Sequence, residues 1–214
     1  LLKVLALALA EQDEGPLPIL LPLNAYARRL QKNEVNLCQF LGEYYAGRQQ
    51  KLKQVGKLFQ AALANKQAVI LLDGLDEVQA NRQHLVRLVQ DFVAEYAPDP
   101  SVGTEPTDAP PVLGNRVVVT SRIVGYEEAP LAGRQWRSYT LSDFKRADIE
   151  QFIRQWTLAF ALSVQGDTEP ARQAAEREQR DLVQAIFSRP SVERLASNPL
   201  LLTILAMIKY TGVT

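Results

Sequence analysis

The chain is poor in the two side chains that build most metal and nucleophilic sites. Of its 214 residues, only Cys38 is a cysteine and only His84 is a histidine. A single cysteine excludes an internal disulfide, and such a residue is more often a small core side chain than a nucleophile. A single histidine leaves zinc sites and histidine-based triads without their usual residues. We therefore expect a protein of a reducing compartment, the cytoplasm.

The chain also lacks an excess of charge and a long apolar segment. Lysine plus arginine and aspartate plus glutamate number 24 each, so the basic footprint of a nucleic-acid-binding protein is missing. The longest apolar run, Pro199 to Ile208, is shorter than the roughly 20 residues that a membrane-spanning helix needs. Residues 1–10 lack the basic leader of a signal peptide. We expect no direct contact with nucleic acid and none with a membrane.

Apolar periodicity predicts strands and helices in alternation up to about residue 142, and helices alone after it. The predicted strands cover 17–23, 68–73, 116–122 and, more weakly, 136–141. The predicted helices of this part cover 1–12, before the first strand, and 25–31, 36–47, 51–65 and 80–96. A stretch over 98–114 with five prolines is predicted to be a surface loop. This alternation predicts an α/β domain over 1–142 with a parallel sheet.

The remaining residues, 143–214, are predicted to form a small all-helical domain. Its expected helices cover 145–161, 169–187 and 199–210, with a short turn starting at Ser191. Pro199 stands at the first position of the last helix, where proline is well tolerated. We find no internal repeat, so a solenoid is not indicated.

The sharpest chemical signal is a block of acids that follows a strand. Four apolar residues, 69–72, run without alternation into Asp73, as in a strand buried on both faces of a parallel sheet. Gly74 permits a sharp turn, and Asp76 and Glu77 follow. Three carboxylates this close repel one another unless a cation lies among them. The alternative is a plain loop whose acids cap the next helix.

A second strand ends in polar residues that complement these acids. Thr120, Ser121 and Arg122 follow three consecutive valines. Because open α/β sheets bind ligands at the carboxyl ends of their strands, we expect both strand ends to line one crevice. Phosphoryl transfer uses such a set: Mg²⁺ on the phosphates, a carboxylate that orients water, and a cation for the developing charge.

The order of these segments resembles the NACHT group of signal-transduction P-loop NTPases, over nearly the whole chain. The resemblance implies a partial P-loop NTPase sheet sandwiched by helices and followed by a small helical domain. The segments that carry it are Leu20-Leu-Pro-Leu-Asn-Ala-Tyr, Leu71-Leu-Asp-Gly-Leu-Asp-Glu, Val118-Val-Thr-Ser-Arg, Leu141-Ser-Asp-Phe, Asp148-Ile-Glu-Gln-Phe-Ile and Asn198-Pro-Leu-Leu-Leu.

The resemblance also implies roles for the polar residues at the strand ends. Asp73 would be the Walker B acid that holds Mg²⁺, directly or through water, with Thr120 beside it at the nucleotide. Asp76 and Glu77 would position or activate the attacking water. Arg122 would be a sensor-type arginine near the terminal phosphate; the alternative is an arginine that pairs with a nearby acid for structure.

Pro199 is the one implied contact from the helical domain. By the resemblance it would pack near the adenine at the base of that domain. The alternative, a proline that merely starts a helix, is equally open at this point.

One expected element of such a protein is missing from the chain. The phosphate-binding loop, Gly-x-x-x-x-Gly-Lys-Ser/Thr, does not occur, and the single Gly-Lys pair, Gly56-Lys57, lies in a predicted helix. The resemblance implies that the loop and its strand lie upstream of Leu1, and that without them the sheet keeps an open slot beside the strand that ends at Thr120. We expect the 214 residues alone to fold poorly or to bind nucleotide very weakly.

These observations leave two function classes open. The first is an ATP- and Mg²⁺-binding switch ATPase of a larger sensor or defence protein, which would self-associate under nucleotide control. The second is a catalytically inactive scaffold of the same fold that works by protein contacts. A metal-dependent phosphatase that uses Asp73 and Asp76 is disfavoured, because residues three apart on a strand face opposite sides.

Overall fold

The computed structural model describes residues 1–48, 54–98, 114–133 and 135–211. The chain divides into two compact units, Leu1–Arg137 and Ser138–Thr214, a few residues before the predicted boundary at 142. Residues 99–113 of the predicted loop over 98–114, and residues 51–53 of the predicted helix over 51–65, lie outside the described residues. The first unit contains α1 (Leu2–Ala10), β1 (Leu17–Pro22), α2 (Leu23–Leu30), α3 (Leu37–Ala46), α4 (Val55–Ala64), β2 (Ala68–Asp73), a 3₁₀ turn (Leu75–Glu77), α5 (Arg82–Tyr96), β3 (Arg116–Val119) and α6 (Ile123–Glu127).

The three strands form one parallel sheet in the order β1-β2-β3. β2 is central because it is apolar on both faces: residues 68–72 are all buried. The prolines of β1, Pro18 and Pro22, cannot donate to a ladder, which suits the edge position that β1 occupies. The prediction of an α/β fold with a parallel sheet is therefore confirmed.

Helices cover both faces of the sheet in the first unit. On one face, side chains of β1 and β2 such as Ile19, Leu21, Ile70 and Leu72 join the main apolar core with residues of α2 to α5. On the other face, Leu2 of α1 packs with Val69 and Leu71 in a smaller cluster. The sandwich fixes β2 between two apolar layers and leaves its carboxyl end free to carry polar groups.

Asn115 ties the amino ends of two strands to the ends of two helices. It is 8% exposed and one of few buried polar residues among those described. Its Oδ1 accepts from the amide of Ala68 at 3.0 Å, while its Nδ2 donates to the carbonyls of Leu63 at 2.7 Å and Tyr96 at 2.8 Å. One side chain thus joins the end of α4, the start of β2, the end of α5 and the start of β3.

The expected strand over 136–141 is wrong. The described residues of this segment form no strand, and Tyr139 and Leu141 are 84% and 76% exposed. A strand needs a hydrogen-bonding neighbour, and in the described part of the chain β3 pairs with β2 alone. Trp136 instead packs against the main core. On the face away from that core, β3 exposes Arg116 and Val118.

The second unit is helical, as predicted. Its helices are α7 (Arg146–Gln165), α8 (Glu169–Phe187), α9 (Pro190–Ala196) and α10 (Pro199–Thr211). The expected turn at Ser191 is wrong: Pro190 starts a helix there, because a proline at the first helical position loses no hydrogen bond. Ile149, Ile153, Leu182 and Ile186 form the centre of the apolar cluster that joins these helices.

Among the described residues, no single helix is long and apolar enough to cross a membrane. Pro190–Ala196 and Pro199–Lys209 pass that test only when taken together, and they are bent by 115°.

Candidate functional site

The carboxyl ends of β2 and β3 lie side by side at one edge of the sheet. A hydrogen bond there links Asp73, at the end of β2, to Thr120, just after β3. The Thr120 hydroxyl donates to Oδ1 of Asp73 at 2.6 Å and accepts from the amide of Gly74 at 3.1 Å. The Thr120 amide donates to the carbonyl of Leu72, and the Leu75 amide to the carbonyl of Thr120, both at 2.9 Å. These bonds extend the β2–β3 ladder past the end of β3 and fix the Asp73 carboxylate at an exposed position.

Gly74 turns the chain immediately after Asp73. Its φ of 77° lies in the left-handed region, which glycine adopts at little cost. A Cβ at this position would lie 3.0 Å from Cδ of Glu77. The Glu77 side chain therefore folds back over Gly74, and a larger residue there would displace it. The predicted sharp turn at Gly74 is confirmed, and the room that this glycine leaves is occupied by the Glu77 side chain.

Asn24, which follows the edge strand β1, contacts Glu77. Nδ2 of Asn24, which lies near the start of α2, donates to Oε2 of Glu77 at 3.1 Å. Glu77 is exposed and Asn24 is partly buried. The contact connects the carboxyl ends of β1 and β2, so all three strands contribute to this edge.

Asp76 and Arg122 form a pair between the two strand ends. The Arg122 amide donates to Oδ1 of Asp76 at 3.0 Å, and Nε of Arg122 lies 3.4 Å from Oδ2. The Asp76 side chain is only 14% exposed, whereas that of Arg122 is 86% exposed. A Cβ on Gly125 of α6 would overlap the side chain of Asp76, so α6 approaches the acid closely. Both Asp76 oxygens are thus engaged, while most of the Arg122 side chain faces solvent.

Arg82 fastens the 3₁₀ turn to α6, and the sequence analysis missed it. Its guanidinium donates to the carbonyls of Val78 at 2.8 Å, Asp76 at 3.0 Å and Gly125 at 3.1 Å, and it also pairs with Glu128. Its side chain is 15% exposed. An arginine in the polar first turn of a helix carries no pattern that separates it from a solvated one, so the sequence offered no signal for this role.

Asp73 could hold a magnesium ion at this edge only together with ligands from elsewhere. In the described ranges, no cluster of three or more histidine, cysteine, aspartate or glutamate side chains could enclose a metal ion. Asp73 keeps Oδ2 without a hydrogen-bond partner in the same ranges, because Thr120 binds only Oδ1. One fixed carboxylate fits Mg²⁺, which commonly binds one or two carboxylates together with phosphate oxygens and water.

Two other predicted features have local structural roles. Pro199 is the first residue of α10, and the Asn198 side chain caps that helix by accepting from the amides of Leu200 at 3.0 Å and Leu201 at 3.2 Å. The Gly56-Lys57 pair lies within α4, as predicted. Gly56 packs against Gly42 of α3, where a Cβ would come within 3.3 Å of the Gly42 Cα.

Comparisons of the chain with protein-family models, with curated proteins and with solved structures found no match.

Proposed function

We propose that the chain is the nucleotide-binding part of a NACHT-type switch ATPase. The observation that carries the proposal is the link between neighbouring strand ends: Asp73 with Thr120, and Asp76 with Arg122. In parallel α/β sheets ligands bind at this edge. An acid for Mg²⁺, a second acid for water and an exposed cation is the set that phosphoryl transfer needs.

The residues divide these tasks by their surroundings. Asp73 is held by Thr120 with one oxygen free, which suits a carboxylate that binds Mg²⁺ or its water. Glu77 is exposed and has an open approach, so it is the better candidate for orienting the attacking water. Asp76 is already engaged by Arg122, and its first role is to hold the arginine at the edge. A triphosphate would compete with Asp76 for the exposed guanidinium.

The proposal makes further requirements of the complete protein. The 214 residues contain no Gly-x-x-x-x-Gly-Lys-Ser/Thr loop, so the phosphates must be bound by groups outside them. We further propose that the complete protein acts in the cytoplasm and self-associates when its nucleotide state changes. Pro199 remains the proposed contact to the adenine from the helical unit.

The test is Mg²⁺-dependent ATP binding and turnover by the complete protein, compared between the unaltered chain, Asp73→Asn and Asp13→Asn. Asp73→Asn keeps the size of the side chain but removes the charge that Mg²⁺ needs. We expect it to lower turnover by about 100-fold, a typical loss for one electrostatic partner of a transition state. Asp13 is an exposed acid distant in sequence from the edge, and its amide variant should match the unaltered protein.

Turnover that is unchanged in Asp73→Asn would remove Asp73 from the mechanism. Absence of ATP binding by the unaltered complete protein would instead favour the scaffold. One feature favours it as the second candidate: Arg122 engages both oxygens of Asp76 without any ligand.

A further inference from the structure

We infer that Asn24 is a positioning residue that orients the Glu77 carboxylate for the attacking water. The inference rests on the proposed function, since it assigns the residue that acts through Glu77. Its basis is the hydrogen bond from Nδ2 of Asn24 to Oε2 of Glu77, 3.1 Å long and between residues 53 positions apart in the chain.

Glu77 is restrained from two sides. Below it lies Gly74, whose missing side chain provides the space that the Glu77 Cγ and Cδ atoms occupy. Beside it lies Asn24, which follows the end of β1 at the start of α2. Among the described residues, Oε1 of Glu77 has no hydrogen-bond partner, because Asn24 contacts Oε2 alone. One oxygen is therefore held by the protein and the other is available to a water molecule.

The chemistry of the amide suits this role. An exposed glutamate side chain samples many rotamers, and each that points away from the reacting phosphorus is unproductive. A neutral N–H donor restricts the carboxylate without placing a full positive charge against it. An aspartate at position 24 has the same shape as asparagine, offers no donor when ionised, and repels Glu77.

The pair can be tested by a double-mutant cycle in the complete protein with Mg·ATP as substrate. The variants are Asn24→Asp, Glu77→Gln and the double variant, with Asn24→Ala as a version that adds no charge. Asn33→Asp is the matched control, because Asn33 is an exposed asparagine that lies three residues after the end of α2. The measurements are kcat, KM, the Kd of ATP and the thermal midpoint of unfolding.

We expect Asn24→Asp to lower kcat by roughly 10-fold or more, since misplaced catalytic groups cost rate, and to leave KM and the Kd of ATP nearly unchanged. Asn24→Ala should lower kcat by a smaller factor. In the Glu77→Gln background, Asn24→Asp should cause no further loss, because Asn24 would act only through Glu77. Asn33→Asp should leave every quantity unchanged.

The outcomes separate the two proposals. If Glu77→Gln keeps full turnover, or the unaltered complete protein has none, the role of Glu77 fails and that of Asn24 fails with it. If Glu77→Gln loses turnover but Asn24→Asp does not, the inference about Asn24 alone is overturned. The same holds if Asn24→Asp lowers kcat by an equal factor in both backgrounds, which would indicate a merely structural residue.

Discussion

Replacing Asn115 by alanine should destabilise the sheet unit more than any surface substitution near it. The change removes three hydrogen bonds at once, to the amide of Ala68 and to the carbonyls of Leu63 and Tyr96. Ala68 is 1% exposed and the asparagine itself 8%, so water has little access to the groups that are left behind. No other described side chain joins β2 and β3 to the ends of α4 and α5 in this way.

The magnitude follows from the count of bonds. A typical intramolecular hydrogen bond contributes about 1 kcal/mol net, and a buried group left without a partner costs about 1–3 kcal/mol. Three such bonds give a loss of roughly 3–5 kcal/mol, a large part of the 5–15 kcal/mol that commonly separates folded and unfolded states.

The assay uses the two tryptophans, one in each unit. Trp136 packs against the main core of the first unit and Trp156 against the core of the second. In a background of the complete protein where every tryptophan except Trp136 is replaced by phenylalanine, fluorescence during urea unfolding reports the sheet unit alone. With a urea dependence of about 1–3 kcal/mol/M, Asn115→Ala should lower the midpoint by about 1–5 M. Asn33→Ala, at an exposed position, should change stability by less than about 0.5 kcal/mol.

A midpoint for Asn115→Ala within about 0.3 M of the parent would refute the reasoning, because the extrapolated loss would then be below 1 kcal/mol. Such a result would mean that the three backbone groups find other partners, and that the amide does not hold the strand starts together.

Two further predictions concern close packing and pH. Gly125→Ala should cost on the order of 1–3 kcal/mol in the same assay, because its Cβ would overlap Asp76. Gly114→Ala, whose new Cβ would have no atom of the described residues within 4 Å, should cost far less. Equal losses would contradict the close approach of α6. Burial raises the pKa of Tyr26, whose hydroxyl donates to the carbonyl of Val35 at 2.8 Å, above the ordinary 10.0. Above pH 10 the unfolded chain therefore releases a proton that the folded chain keeps, and stability falls by up to about 1.4 kcal/mol per pH unit. Tyr26→Phe should fall less steeply in urea unfolding between pH 8 and 11, and identical slopes would contradict this assignment.

The strand positions were predictable because burial on two faces leaves a strong pattern. Four consecutive apolar residues before Asp73 present apolar side chains on both faces of a strand, which favours burial between two layers of helices. The structure buries all four. The helices with clear apolar stripes were found within a few residues of their observed ends, and α8 at its observed bounds, Glu169–Phe187. Here local periodicity and tertiary packing favour the same structure.

The failures occurred where partners decide the conformation. Residues 136–141 include aromatic and β-branched residues that favour strands. A strand also needs a hydrogen-bonding neighbour, and the local sequence does not show whether one is present. Asn115 and Arg82 were missed for a related reason. Each is a polar residue that donates to backbone carbonyls of other segments. Every residue has a backbone carbonyl, so the sequence does not indicate which carbonyls come close to these side chains.

The candidate site combines both cases. That acids and an arginine follow adjacent strands was readable from the chain, because parallel strands present their carboxyl ends at one edge. Which acid is free was not readable, since the pairing of Asp76 with Arg122 and of Asp73 with Thr120 depends on strand order and on the close approach of α6 at Gly125. The structure therefore changes the order of the candidates. Among the described residues, one oxygen of Glu77 and one of Asp73 have no hydrogen-bond partner, whereas both oxygens of Asp76 contact Arg122. Under the proposed function, a nucleotide that draws the guanidinium away would free only Oδ2 of Asp76, because the Arg122 amide would still donate to Oδ1.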